Sequence, residues 1–229
     1  LRPIERHREP GRTHRSSPHA CRGIGGSALY SARPGGRAVF EHAARAAGFD
    51  LTAVSSFRDF DRQIAIWNGK FSGEKPTYDA HGLPLDVLTL SPTERVAAIL
   101  LWSALPGASR HHWGTDVDLI DAHAIAPGFR VELTGDEFAA GGPFAELSQW
   151  LERHAAKYGF FRPYQGVLSG VRPEPWHYSF APVAEQARRA LTPDVLRNVL
   201  AAAPLLGREQ VLDQIDVLHA RYVAAIDWP

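Results

Sequence analysis

The chain has 229 residues, 45% of them hydrophobic and 22% charged, and its formal net charge is zero with histidine neutral. That length suits one domain, or a domain with an appendage, and the apolar content is enough for a real core. Zero net charge argues against nucleic acid or an anionic membrane as the main partner. The single cysteine, Cys21, excludes an internal disulfide framework and any metal site built from several thiolates.

Residues 1–34 are rich in Arg, His, Pro, Ser and Gly, with almost no apolar periodicity before Ala28, and read as a disordered basic arm. Leu1 to Arg22 lacks the apolar centre of a signal peptide. With no Met even at position 1, the chain reads as a processed or truncated product, or one whose true start is missing. From Gly36 a helical spacing of Ala38, Val39, His42, Ala43, Ala46 and Ala47 begins, with Gly48 as its stop. Leu51 to Ser55 reads as a short strand. Asp59 or Asp61 caps a helix to about Trp67, with Asn68-Gly69 as the expected end.

Residues 72–91 look like loop. Pro92 to Leu105 reads as a strong helix, with Ser91 at the N-cap, Pro92 at the first helical position and Glu94 placed for a capping box. The apolar run inside it, Val96 to Leu105, is too short to cross a bilayer, so no transmembrane segment is expected. Asp116 to Ile120 reads as a strand, Arg130 to Leu133 as a small strand within a Gly- and Pro-bearing insert, and Phe144 to Tyr158 as a helix stopped by Gly159. Trp176 to Phe180 is the last expected strand. From Pro182 onward the pattern is helical, broken at Thr192-Pro193 and at Pro204 to Gly207. Short strands among longer helices, without a regular βαβ rhythm, predict an α+β fold. The expected organisation is an arm over 1–34, a catalytic unit over 35–185 and a helical C-terminal extension over 186–229.

Two segments carry the chemistry: Ser109-Arg110-His111-His112-Trp113-Gly114-Thr115-Asp116-Val117-Asp118, and Glu174-Pro175-Trp176-His177. A hydrolytic zinc needs about three protein ligands and an open position. It also needs a nearby carboxylate that is not a ligand, to take a proton from water. The two segments supply two histidines, an aspartate and a spare glutamate. His111 and Asp118 are seven apart, so an uninterrupted strand would send them to opposite faces; Gly114 offers a turn that re-aims the chain. Asp116 and Asp118 share one face of the following strand, and by pattern alone either is a ligand. A turn before the strand at Trp176 would bring Glu174 and His177 to the same ion.

Ser109-x-His111-x-x-Gly114-x-Asp116-x-Asp118 followed by Glu174-x-Trp176-His177 resembles the signature of the LAS-type zinc peptidases. The nearest branch is the D-alanyl-D-alanine carboxypeptidases and dipeptidases of the vancomycin-resistance type. The resemblance implies a compact peptidase core with a small central antiparallel sheet flanked by helices. It implies one zinc ion held by His111, Asp118 and His177, with Glu174 as general base and acid. The chain departs from the family at Asp116, where a small residue is usual. Ser55-Ser56-Phe57-Arg58, with Gln63 five residues on, is similar to the family's Ser-Gly-Tyr-Arg segment and its downstream Gln. By that resemblance Arg58 faces the substrate, and Gln63 and Ser109 are substrate-binding residues; the competing reading of Arg58 alone is a salt bridge to Asp59 or Asp61. His112 is expected to be structural.

The implied function is hydrolysis of D-Ala-D-Ala in peptidoglycan stem peptides, in the bacterial cell envelope or periplasm. An L-alanyl-D-glutamate endopeptidase on the same core and a non-catalytic, zinc-containing wall-binding module are the alternatives.

Overall fold

The computed structural model describes residues 34–229. The arm expected over 1–34 lies, up to residue 33, outside the described residues. The architecture is α+β: helices pack around a small antiparallel sheet of strand order β1 (Leu51–Ser55), β4 (Asp116–Asp121), β6 (His177–Phe180) and β5 (Phe160–Phe161), beside a two-stranded ribbon of β2 (Thr77–Tyr78) and β3 (Pro84–Leu85).

Helix α1 (Pro34–Ala46) buries Phe40 and Ala44 and is ended by Gly48 at φ 96°. Strand β1 (Leu51–Ser55) follows, then α2 (Phe60–Phe71), capped by the Asp59 side chain on the Arg62 N–H. Asn68-Gly69 does not end this helix, contrary to expectation. The Asn68 side chain is bonded to the Pro204 carbonyl and the Leu206 N–H, and Gly69 leaves space for the Lys75 side chain, where a Cβ would stand 2.9 Å from Cδ. Tertiary contacts thus occupy a pair that reads locally as a turn.

The loop expected over 72–91 contains β2 (Thr77–Tyr78) and β3 (Pro84–Leu85). Helix α3 (Pro92–Leu100) has the full Ser91/Glu94 capping box, but it stops short of Leu105. Residues 101–104 instead turn across α2, where the Ala104 carbonyl accepts from Gln63 Nε2 at 2.7 Å.

Strand β4 (Asp116–Asp121) is buried along its whole length. No strand forms over Arg130 to Leu133. Leu133 is left-handed at φ 57°, and the Glu137 carboxylate accepts the Glu132 and Thr134 N–H groups before α4 (Gly135–Phe138), which removes the ladder a strand would need. Helix α5 (Ala145–His154) and a 3-10 turn lead to Gly159 and to β5 (Phe160–Phe161), a short edge strand that periodicity does not reveal. Strand β6 (His177–Phe180) pairs antiparallel with β4 on one side and β5 on the other.

The C-terminal part holds α6 (Ala181–Ala190), α7 (Pro193–Ala202), α8 (Arg208–Asp213) and α9 (Ile215–His219), which runs into a π-helical turn over Ala220–Ala224, with breaks at the expected places and a further one at Gln214. Apolar side chains gather in three clusters. One joins α2 and α3 to the C-terminal helices through Trp67, Ile99, Leu100, Leu196, Leu200 and Val211. A second lies on one face of the sheet, around Phe40, Val117, Leu119, Leu151 and Tyr178. The third holds Ile120, Phe138, Phe144 and Trp176. None of the described helices is long and apolar enough to cross a membrane.

Candidate metal centre

The polar site grows out of strand parity. Val117 and Leu119 face the second cluster, so Asp116 and Asp118 face the other side. In the β4–β6 register Asp118 stands opposite His177, and Asp116 opposite Ser179. A four-residue polar square therefore forms on one face of two central strands. His111 reaches it from a 3-10 turn, Arg110–Trp113, whose cap Gly114 is left-handed at φ 69° and redirects the chain into β4. Glu174 enters from a turn whose closing bond runs from the His177 N–H to the Glu174 carbonyl, 3.2 Å.

His111, Asp118 and His177 are all buried, and each offers one ligand atom within 4.8 Å of the other two. His111 Nε2 lies 3.5 Å from Asp118 Oδ2, and His177 Nδ1 lies 3.4 Å from Asp118 Oδ1. Ligand atoms on a tetrahedral ion with bonds of about 2.0–2.1 Å stand about 3.3–3.4 Å apart. Asp118 Oδ1 is buried without a hydrogen bond from any described residue. A buried carboxylate oxygen left unpaired is costly, and a cation at the centre of the group would satisfy it. Two imidazoles and one carboxylate therefore fit a divalent metal with a position to spare.

The surroundings fix which nitrogen of each ring is available. His111 Nδ1 donates to the Ser56 carbonyl at 2.7 Å, which leaves the lone pair on Nε2. Burial pushes His111 down to about 4, so the ring is neutral at pH 7. His177 Nε2 donates to Asp116 Oδ1 at 2.9 Å and turns Nδ1 toward Asp118 and Glu174. Burial opposes charge on His177, but the bonds to Asp116 and Glu174 outweigh it and push the ring up to about 10 without a metal. Proton and metal ion compete for Nδ1.

Asp116 is saturated. It accepts from His177, from Arg110 Nε at 2.8 Å, from Thr115 Oγ1 and from Ser179 Oγ at 2.9 Å. Burial alone would raise its carboxyl, but Arg110 and His177 hold it well below the usual carboxylate range. The residue that departs from the family pattern thus clamps His177 from behind.

Glu174 Oε2 lies 3.0 Å from His177 Nδ1, and burial raises its affinity for a proton, offset in part by His177. Arg58 does not pair with Asp59 or Asp61. Its guanidinium donates to Gln63 Oε1 at 3.0 Å and Ser55 Oγ at 3.3 Å, beside the charges of Asp118 and Glu174. Gln63 is buried behind it. A register shift in β1 between Ala53 and Ser55 turns Ser55 toward Arg58. Ser109 is buried at the start of the 3-10 turn, where its hydroxyl makes no cap bond. His112 joins the Arg58 carbonyl to the Gly107 N–H, a structural bridge as expected.

A model of the VanY family, described as D-alanyl-D-alanine carboxypeptidase, matches residues 37–183. The chain belongs to that family. An uncharacterized protein of Haemophilus influenzae is 32% identical over 121 residues, which cover 52% of this chain and 92% of that protein. A D-alanyl-D-alanine carboxypeptidase of Enterococcus faecalis is 30% identical over 141 residues, 60% of this chain but 42% of that protein, so the chain spans under half the length of this named relative. Among solved structures, VanYB in complex with D-Alanine-D-Alanine is 24% identical, covers 73% of this chain and 79% of its own, and has a TM-score of 0.46.

Within this VanY-family site, sequence reasoning overlooked Arg110, Ser179 and Tyr164. Ser179 was accessible from parity, two residues past His177 on one strand. Tyr164, whose ring packs edge-on to His177 at 5.2 Å, and Arg110, stacked on Trp113 at 4.5 Å, carry no local signal.

Proposed function

We propose that the chain is a zinc-dependent D,D-carboxypeptidase that removes D-alanine from peptidoglycan stem peptides in the cell envelope, with one zinc ion held by His111, Asp118 and His177. The observation that carries this reading is the buried His-Asp-His group, in which one Asp118 oxygen accepts no hydrogen bond among the described residues, with the Glu174 carboxylate beside it. When bound, zinc supplies Lewis acidity, which makes water a nucleophile at neutral pH and polarises the scissile carbonyl.

The chain's own groups do the rest. Glu174, with a raised proton affinity, takes the proton of the attacking water and passes it to the leaving amine. Arg58, fixed by Gln63 and Ser55, supplies positive charge where the carbonyl oxygen becomes anionic. Asp116 and the Ser56 carbonyl hold the two imidazoles in ligating tautomers. Ser109 and Gln63 line or support the substrate side of this arrangement.

The test is D-alanine release from a stem pentapeptide by zinc-loaded protein, with a chelator control. Release is expected to be chelator-sensitive. It is expected to be abolished in Glu174→Ala while zinc still binds at one equivalent. Substantial turnover by that variant would refute the role of Glu174, and zinc binding without release would refute the D,D-carboxypeptidase assignment.

A further inference from the structure

The segment between β5 and β6 brings Glu174 to the metal group, and a short turn within it, residues 163–166, makes the contacts that hold Glu174 in place. The Tyr164 carbonyl accepts from the Glu174 N–H at 3.0 Å. The Tyr164 ring packs edge-on to His177, with centroids 5.2 Å apart. Gly166, left-handed at φ 84°, lets the turn close on the residue before Glu174: a Cβ there would stand 2.7 Å from Pro173 Cγ. One turn therefore touches the proposed base, its chain neighbour and the candidate ligand beside it.

Both flanks of Tyr164 are tied to one residue, Asp227. The Asp227 N–H donates to the Pro163 carbonyl at 3.0 Å, and Asp227 Oδ2 accepts from the Gln165 N–H at 2.9 Å. Asp227 lies 62 residues after Gln165, beyond the residues 37–183 that the family model matches. Its own neighbours fix it. Ile226 is buried among the C-terminal helices, and Trp228 packs edge-on to Phe161 of β5 at 4.8 Å, with the Arg188 guanidinium over its ring at 5.0 Å. Anchored on both sides, the carboxylate meets the Gln165 N–H with little further loss of freedom. An ionised acceptor also makes the stronger kind of bond to a backbone N–H. The far limb of the same segment is held separately, by the Gly170 N–H on the Arg221 carbonyl and the Arg172 N–H on the Leu101 carbonyl, both 2.9 Å.

We infer that Asp227 is a positioning residue for Glu174, acting through the 163–166 turn. That Glu174 is the base rests on the peptidase reading above. A base must meet the attacking water at hydrogen-bond distance, and a drift of about 1 Å costs much of its rate. A bond made at residue 227 therefore governs how often the base is in place.

Two readouts test this. Amide hydrogen exchange on the whole chain reads the clamp without turnover. Asp227→Ala is expected to speed exchange over residues 164–177 roughly 10-fold, the lower end for a bond to a charged acceptor because this one is exposed, with α3, α7 and β4 unchanged. Asp227→Asn keeps an acceptor oxygen and is expected to restore protection. D-Alanine release by zinc-loaded protein then reads the base. Asp227→Ala is expected to lower kcat about 10-fold with KM and zinc affinity unchanged, and Asp227→Asn to recover it. Exchange unchanged over 164–177, or raised equally through α7 and β4, overturns the clamp. Faster exchange with kcat unchanged, or a loss carried by KM or zinc affinity, overturns the positioning of Glu174. If the parent chain releases no D-alanine, the carboxypeptidase assignment falls, and the exchange pattern alone decides whether Asp227 holds the Glu174 segment.

Discussion

Asp116 and Asp118 share a strand face two residues apart, and pattern alone leaves open which of them meets a metal. Their surroundings separate them. Asp116 accepts from Arg110, Thr115, His177 and Ser179, whereas Asp118 keeps one buried oxygen without a donor. That difference depends on Arg110 and Ser179, which reach Asp116 through the fold and not through neighbouring sequence. Replacing Asp116 by alanine, near the small residue usual in the family, leaves the Arg110 guanidinium buried without its counter-charge. Asp116→Ala is expected to cost about 3–5 kcal/mol in denaturant unfolding. It also frees the His177 ring to turn, so metal affinity in a competition titration is expected to drop about 10- to 100-fold. An Arg110→Met/Asp116→Ala pair removes both charges and is expected to regain much of the stability but not the affinity. Equal recovery of both would mean that Asp116 does not orient His177.

The elements most legible in the sequence are those whose signals are local. The Ser91-Pro92-Glu94 cap, the Gly48 and Gly159 stops and the Pro breaks after α6 need nothing from the rest of the chain. The misread ones are decided at a distance. Asn68-Gly69 stays helical because Pro204 and Leu206 occupy its side chain, and Arg130 to Leu133 loses its ladder to the Glu137 carboxylate. Strand β5, two residues long, has no periodicity to read. The same contrast predicts different mutational outcomes. Ser91→Ala, far from the polar square in the chain, is expected to cost about 1 kcal/mol of stability with metal binding unchanged. Gly114→Ala forces a side chain into a left-handed position at about 1–2 kcal/mol. Because Gly114 sets the path from His111 to Asp118, its loss is expected to weaken metal binding as well. Thermal unfolding and metal titration of the two variants side by side check this, and an unchanged affinity in Gly114→Ala would count against the turn as the device that joins the ligands.

At the scale of the whole molecule, the metal-free protein carries a pH signature. His177 in the fold is pushed up to about 10 by Asp116 and Glu174 against the effect of burial, while in the unfolded chain it titrates near about 6.5. Between those values the folded state holds the extra proton, so stability falls as pH rises. Glu174, raised by burial, acts in the same direction above its ordinary range. Urea midpoints in the presence of chelator are therefore expected to decline from pH 6.5 to 10. With the proposed ligand set, zinc binding through His177 Nδ1 expels that proton, so the zinc-loaded protein is expected to lack this decline and to bind metal more tightly as pH rises. A chelated protein as stable at pH 9.5 as at pH 7 would contradict this.

The three apolar clusters divide the site between two kinds of support. Two of the candidate ligands, Asp118 and His177, stand on β4 and β6, central strands packed between the second and third clusters, whereas Gln63 rides on α2, which is rooted through Ile64 and Trp67 in the cluster built by the C-terminal helices. Such units open with separate free energies. On the proposed reading, a fluctuation that lifts α2 moves Gln63 away while β4 and β6 stay paired, so a peptide leaves many times over without the strand-borne ligands ever parting.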